Sequence, residues 1–244
     1  MGCGMWDWLF DLMPHISNPI SHFSNPTSMN ILHETSHWIA VDKPGGLIVE
    51  RNPFESPTVE ELVLAHLSQA RANPFIGIVH RLDRVTSGVL LVAKKKSALK
   101  NLNEQFRLRQ VQKTYLALVE AKPPAEEGEL IHWLEKDQQE KRAQVVDTAS
   151  GQGSECTLSY RQLWVDDNGR ALLEVSPITG KYHQIRAQLA AIGCPIVGDL
   201  HYGAAEAYQP NQIMLHAWKL AFFDPAKKRQ VEVEAAAPEW APKV

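Results

Sequence analysis

The chain has 244 residues, 44% of them hydrophobic and 22% charged, the composition of a folded globular protein with room for one large domain or two small ones. Its 25 Lys and Arg against 28 Asp and Glu leave a net charge of -3, which excludes a bulk positive field that would draw it to nucleic acid or membrane. Cys3, Cys156 and Cys194 are too scattered for a disulfide scaffold or a zinc site, and no apolar run reaches the roughly 18 to 20 residues of a membrane-spanning helix, so a cytoplasmic, metal-free protein is expected.

Residues 1–36 read as an N-terminal extension or linker, because the stretch from Pro14 to Ser28 is rich in Ser, Asn and Pro; residues 37–244 read as the folded domain. Trp38 to Asp42 is a short β-type run ending in the turn Lys43-Pro44-Gly45-Gly46, and Leu47 to Val49 resumes it. Pro57-Thr58 opens a helix with Glu60 and Glu61 in its first turn. Ile76 to Val79 is a brief strand, and Gly88 to Ala93 is apolar throughout, the pattern of a strand buried on both faces. Ser97 is placed to cap a helix running through Arg109, with Leu99, Leu102 and Phe106 on one face. Strands are then expected at Lys113 to Glu120, Glu129 to Leu134, Gln144 to Asp147, Cys156 to Trp164 and Ala171 to Val175. A helix follows from Tyr182 to Ile192, closed by Gly193 and Pro195, and strands return at Leu215 to Phe223 and Val231 to Ala235. Strands outnumber helices and do not alternate with them, which predicts an α+β fold, a mostly antiparallel mixed sheet with flanking helices.

The near-neutral total hides a dipolar chain. From Arg81 to Lys113 nine basic residues face two acids, and from Glu120 to Glu140 seven acids face two lysines. The basic stretch fits either a solvated surface or a strip that contacts phosphates, which needs only local density. Within it, His80-Arg81-Leu82-Asp83-Arg84-Val85-Thr86-Ser87-Gly88 sets one carboxylate between two guanidinium groups, ahead of the buried strand. Such a carboxylate stays ionised and can serve as nucleophile, base or electrostatic stabiliser in a cleft; equally, Asp83 can cap a turn or pair with Arg81.

The same string resembles the H-R-L-D-x-x-T-S-G signature of the RluA-type pseudouridine synthases. Other elements resemble that family in order: Asp42-Lys43-Pro44-Gly45-Gly46-Leu47, Lys113-Thr114-Tyr115-Leu116-Ala117, Thr179-Gly180-Lys181-Tyr182-His183-Gln184-Ile185-Arg186, Gly193-Cys194-Pro195-Ile196-Val197-Gly198-Asp199 with Tyr202-Gly203, and Leu215-His216-Ala217. The resemblance spans about Trp38 to Trp240. It implies the pseudouridine synthase catalytic fold with a central active-site cleft, and isomerisation of uridine to pseudouridine in ribosomal or transfer RNA without metal or organic cofactor. It further implies Asp83 as the catalytic carboxylate, Tyr115 against the uracil ring, and Arg186 as a bidentate partner that keeps Asp83 ionised. Ile185 is implied to pack against the target base, and Arg81 to fill the gap left by an extruded base.

Arg84, Lys94, Lys95 and Lys96, with Lys100, Arg107 and Arg109, are candidates for phosphate contact. Lys181, Tyr182 and Gln188 depart from residues common in the family, which bears on RNA contacts more than on the reaction. The residues before the match are too few for an independent RNA-binding domain, so a monomeric, single-domain form that reads an RNA stem-loop by itself is expected. Two other readings compete: an RNA-binding assembly factor on the same fold without turnover, and a hydrolase using Asp83. The latter lacks a second paired carboxylate and a phosphate-cradling loop.

Overall fold

The computed structural model describes residues 29–147 and 153–242. The strands are β1 (Asn30–Glu34), β2 (Trp38–Lys43), β3 (Gly77–Ile78), β4 (Ser87–Ala93), β5 (Gln112–Val119), β6 (Glu127–Asp137), β7 (Arg142–Val146), β8 (Ser154–Val165), β9 (Ala171–Pro177), β10 (Leu215–Asp224) and β11 (Arg229–Glu234). The helices are α1 (Val59–Ser68), α2 (Lys96–Arg107) and α3 (Gln184–Ala191), with a 3-10 turn at Leu200–Tyr202. One sheet holds all the described strands in the order β1-β2-β4-β10-β5-β9-β8-β6-β7, with β3 beside β4 and β11 beside β10. Among the described strands only β4 with β10 is parallel, so the expected α+β class with a mixed, mostly antiparallel sheet is what forms.

The continuous apolarity of β4 follows from its two faces. Leu90 and Val92 pack with Val59, Val63 and Leu67 of α1, while Val89, Leu91 and Ala93 pack with Ala98 and Leu102 of α2. A third core joins Ile185 and Leu189 of α3 to Ala117 and Val119 of β5, Leu158 of β8, and Leu173 and Val175 of β9. Each such aliphatic side chain contributes about 1.5–3 kcal/mol on full burial, so β4 ties both helical layers to one strand.

The parallel junction positions the site. Ser87 pairs with His216 and Gly88 with Ala217, while on the other side of β10 Ala217 pairs with Tyr115. Gly88 lies at φ +109°, and a Cβ there would stand 2.2 Å from the Ala217 carbonyl oxygen. Only glycine lets the two backbones close. The turn that precedes β4 is thereby set at the middle of the sheet, next to Tyr115.

Three expectations need correction. Asn30–Glu34, assigned to the extension, pairs antiparallel with β2; its polar sequence suits an edge strand and carries little apolar signal. Residues 1–28 of that expected extension, including Cys3, lie outside the described residues. Helix α2 starts at Lys96 with no side-chain cap and stops at Arg107, and Arg109 takes a left-handed φ of 58°, so Ser97 sits inside the helix instead of capping it. Helix α3 starts at Gln184, two residues late, because the Gln184 amide oxygen accepts hydrogen bonds from Thr179 Oγ1 and Lys181 N and keeps that loop off the helix axis.

Candidate active site

Asp83 stands on a turn whose carbonyls are all engaged. The Asp83 carbonyl accepts from Thr86 N at 3.1 Å, the Arg84 carbonyl from Gly46 N at 2.8 Å, and the Val85 carbonyl from Ile213 N at 3.2 Å. A second donor to the Arg84 carbonyl is the Lys43 ammonium at 3.0 Å, which also donates to the carbonyls of Pro44 at 2.9 Å and Leu47 at 2.8 Å. Lys43 is fully buried, and burial pulls its ammonium down to about 7, opposed by the charge of Asp83. All three ammonium protons are used, so the turn at β2 and the turn at Asp83 are fastened together.

Across the cleft α3 supplies Arg186. Its Nη1 lies 3.4 Å from Asp83 Oδ2, while Nε and Nη2 donate to the two oxygens of Asp199 at 2.7 and 2.9 Å. The resemblance implied a bidentate pair with Asp83; the fork is instead spent on Asp199, and Asp83 receives the remaining nitrogen. Arg186 and Asp199 side chains are only 6% and 2% exposed, so the pair is a desolvated one and holds the guanidinium rigidly. Arg81 and Arg84, which flank Asp83 in sequence, turn away to Glu50 and Glu55. Burial pushes the Asp83 carboxyl above its ordinary range, and Arg186 foremost, then Lys43, pull it back.

His183 closes this network. It occupies the left-handed region at φ 50° as the N-cap of α3, stacks on Tyr182 at 3.7 Å between ring centroids, and places Nε2 3.8 Å from Asp83 Oδ2. Its Nδ1 lies 3.0 Å from the Tyr202 hydroxyl, which also accepts from Ala143 N at 2.7 Å. When the phenol donates its proton to Nδ1, the imidazole carries its own proton on Nε2, on the side facing Asp83. Burial and Arg186 hold the imidazole down at about 3, so it is neutral. The Tyr202 ring also lies under the Arg186 guanidinium, 4.8 Å from the ring centroid.

Asp83, Tyr182, His183 and Arg186 line a cleft of about 580 Å³ together with Arg81, Phe106, Lys113, Tyr115, Lys136, Lys181 and Ile185. Tyr115 is pushed above its ordinary phenol range by burial and by the Asp83 charge. Ile185 does double duty, packing in the core under α3 and lining the cleft. Lys113 donates to the Thr179 carbonyl at 3.0 Å and is lowered by burial to about 8. His80 accepts from Leu91 N at 3.0 Å, stacks on Phe106, and is lowered by burial to about 3, so it shapes the turn as a neutral ring.

The basic stretch does not form one strip. Arg81 lines the cleft, but Arg84 is engaged by Glu55, and Arg107 by Glu104. Lys94, Lys95 and Lys96 sit beyond the far end of β4, about 20 Å from the Asp83 end at roughly 3.3 Å per residue. Lys94 pairs there with Glu34 and donates to the Thr35 carbonyl, and Lys95 approaches His37 at 3.3 Å. These three lysines, the candidates for phosphate contact, therefore do not line the cleft. Gln188 is fully buried and donates to the Leu130 and Cys156 carbonyls, so its departure from the family pattern bears on packing, not on RNA. Sequence reasoning left Lys43, His183, Asp199 and Tyr202 without roles, although each lies in a segment that resembles the family.

The sequence profile of the RNA pseudouridylate synthase family matches residues 37–191. The chain belongs to that family. It is 35% identical over 237 residues to the ribosomal large subunit pseudouridine synthase C of Haemophilus ducreyi, covering 93% of this chain and 72% of that protein. It is 34% identical over 198 residues to the dual-specificity RNA pseudouridine synthase RluA of Yersinia pestis, covering 81% and 93%. Among solved structures, the human RNA pseudouridylate synthase domain containing 1 superposes with a TM-score of 0.69 at 25% identity over 87% of this chain and 84% of that one. The chain spans about two thirds of the length of several synthase C relatives. Among the described residues no helix is long and apolar enough to cross a membrane.

Proposed function

We propose that this synthase-family chain isomerises uridine to pseudouridine in RNA, with large-subunit ribosomal RNA as its substrate. The observation that carries the reading is the convergence of Asp83, Tyr115 and Arg186, from a turn, a strand and a helix, on one cleft. The target nucleotide leaves its stack to reach that cleft, since C1′ and C5 are otherwise shielded. Asp83 assists breakage of the C1′–N1 bond, the uracil rotates, C5 bonds to C1′, and the C5 proton departs to solvent. Arg186, fixed by Asp199, keeps the Asp83 carboxylate charged and aimed. The Tyr115 phenol is neutral at pH 7 and serves as a face for the uracil and a hydrogen-bonding group near C5. Arg81 leaves Glu50 to occupy the gap in the RNA stack. Substrate choice is argued from relatives named as ribosomal large subunit synthases. The chain works as a monomer in the cytoplasm, without cofactor.

Tritium release from transcripts carrying C5-tritiated uridine tests this, with ribosomal and transfer RNA assayed separately. Wild type is expected to release tritium from large-subunit ribosomal RNA, and Asp83→Asn to bind it without release. Binding by wild type with no release from either RNA would favour the assembly-factor reading.

A further inference from the structure

The segment between β2 and α1 carries the most exposed large hydrophobic side chain among the described residues, Phe54, at 90%. It is not a loose loop tip. Asn52 Oδ1 accepts from Phe54 N at 2.8 Å and Glu55 N at 3.0 Å, a side-chain-closed turn that raises Phe54 at its apex. The turn is fastened at both ends to α1: Arg51 N donates to Glu60 Oε2 at 3.0 Å, and Ser56 Oγ to Glu61 Oε2 at 3.1 Å.

The same turn grips the segment around Asp83. Glu50 pairs with Arg81 at 3.1 Å, and Glu55 pairs with Arg84, the residues two before and one after Asp83. Arg81 also lines the cleft, so one side chain links this turn to the cleft. In the free protein Glu50 and Glu55 of the turn and Glu60 of α1 each face an arginine, Arg81, Arg84 and Arg51 respectively, which offsets their charge toward an approaching polyanion.

We propose that Phe54 is a stacking platform for an unpaired RNA base next to the target uridine. This rests on the synthase reading above. Extrusion of the target deprives the adjoining base of a stacking partner, and a rigid aromatic ring on this turn replaces it. A protein partner would be expected to bury a wider apolar patch than one ring encircled by ion pairs. Stacking is tolerant of base identity, so Phe54 contributes affinity and register for a single-stranded loop instead of reading a letter.

The test uses the full chain and in vitro transcribed large-subunit ribosomal RNA, with Phe54→Ala, Phe54→Leu and Phe54→Trp. Binding is measured in an Asp83→Asn background, and turnover by tritium release with Asp83 intact. Alanine and leucine are expected to weaken binding and raise KM by about 5- to 100-fold with kcat at saturation changed less than about twofold, and tryptophan to restore both. Alanine within about twofold of wild type in both assays, or leucine as good as phenylalanine, would overturn the proposal. Absence of turnover by wild type would count against the synthase reading alone, because the binding arm still reports on Phe54. Unfolding does not confuse the result, since a ring 90% exposed holds no core together.

Discussion

Arg186→Lys isolates what the guanidinium does beyond carrying charge. Arginine spans two carboxylates, with contacts of 2.7 and 2.9 Å to Asp199 and 3.4 Å to Asp83, from a side chain 6% exposed. An ammonium is a point charge and reaches one of them well. At least one charge-assisted hydrogen bond is lost at about 1.5–3 kcal/mol, and a buried carboxylate loses part of its compensation, so a loss of about 2–4 kcal/mol in urea unfolding is expected. Asp83 also loses its fixed aim, and a misplacement of about 1 Å is enough to reduce kcat about 100-fold. The pH dependence supplies an independent reading. Burial pushes the Asp83 carboxyl up and Arg186 holds it down, so weakening that contact moves the acid limb of kcat to higher pH. A variant with stability within about 0.5 kcal/mol of wild type, kcat above about a third, and an unmoved acid limb would refute the spanning role.

Gly88→Ala puts a Cβ 2.2 Å from the Ala217 carbonyl oxygen at φ +109°, so β4 and β10 cannot pair; little soluble protein is expected, and normal yield with an unchanged melting temperature would contradict the geometry. His80, His183 and His216 are held by burial at about 3, about 3 and about 4. Between pH 6.5 and those values the unfolded chain binds more protons than the folded one, so stability is full above pH 6.5 and is lost as pH falls, by up to about 1.4 kcal/mol per unit for each histidine. His80→Gln keeps an acceptor for Leu91 N and is expected to flatten this slope by one proton, measured by urea unfolding at several pH values. Lys94→Ala should change the KM for RNA less than about twofold, because that ammonium is held by Glu34 at the end of β4 remote from Asp83.

Much of the fold was legible because its signals are local. The apolar run of β4, the Pro57-Thr58 opening of α1 and the Gly193 stop after α3 each follow from adjacent residues, and each element forms close to where the sequence placed it. The errors came from longer-range bonding. β1 is recognisable only by its pairing with β2, and the late start of α3 depends on a Gln184 side chain tied back to Thr179.

The site divides along the same line. Asp83, Tyr115 and Arg186 stand out in the sequence by their resemblance to a family, and the fold brings them to one cleft. What no linear reading supplied is which charges face which. Arg81 and Arg84 adjoin Asp83 in sequence yet bond elsewhere, because successive residues of a turn project in different directions and Glu50 and Glu55 lie on the outer side. Compensation for the partly buried Asp83 carboxylate comes instead from residues 40 before it and 103 after it, Lys43 and Arg186, each held by its own partners. A carboxylate balanced by fixed, buried cations keeps a constant environment that does not depend on the ion pairs Arg81 and Arg84 make beside it. The charges that set the environment of Asp83 are thereby separate from those its sequence neighbours present at the surface.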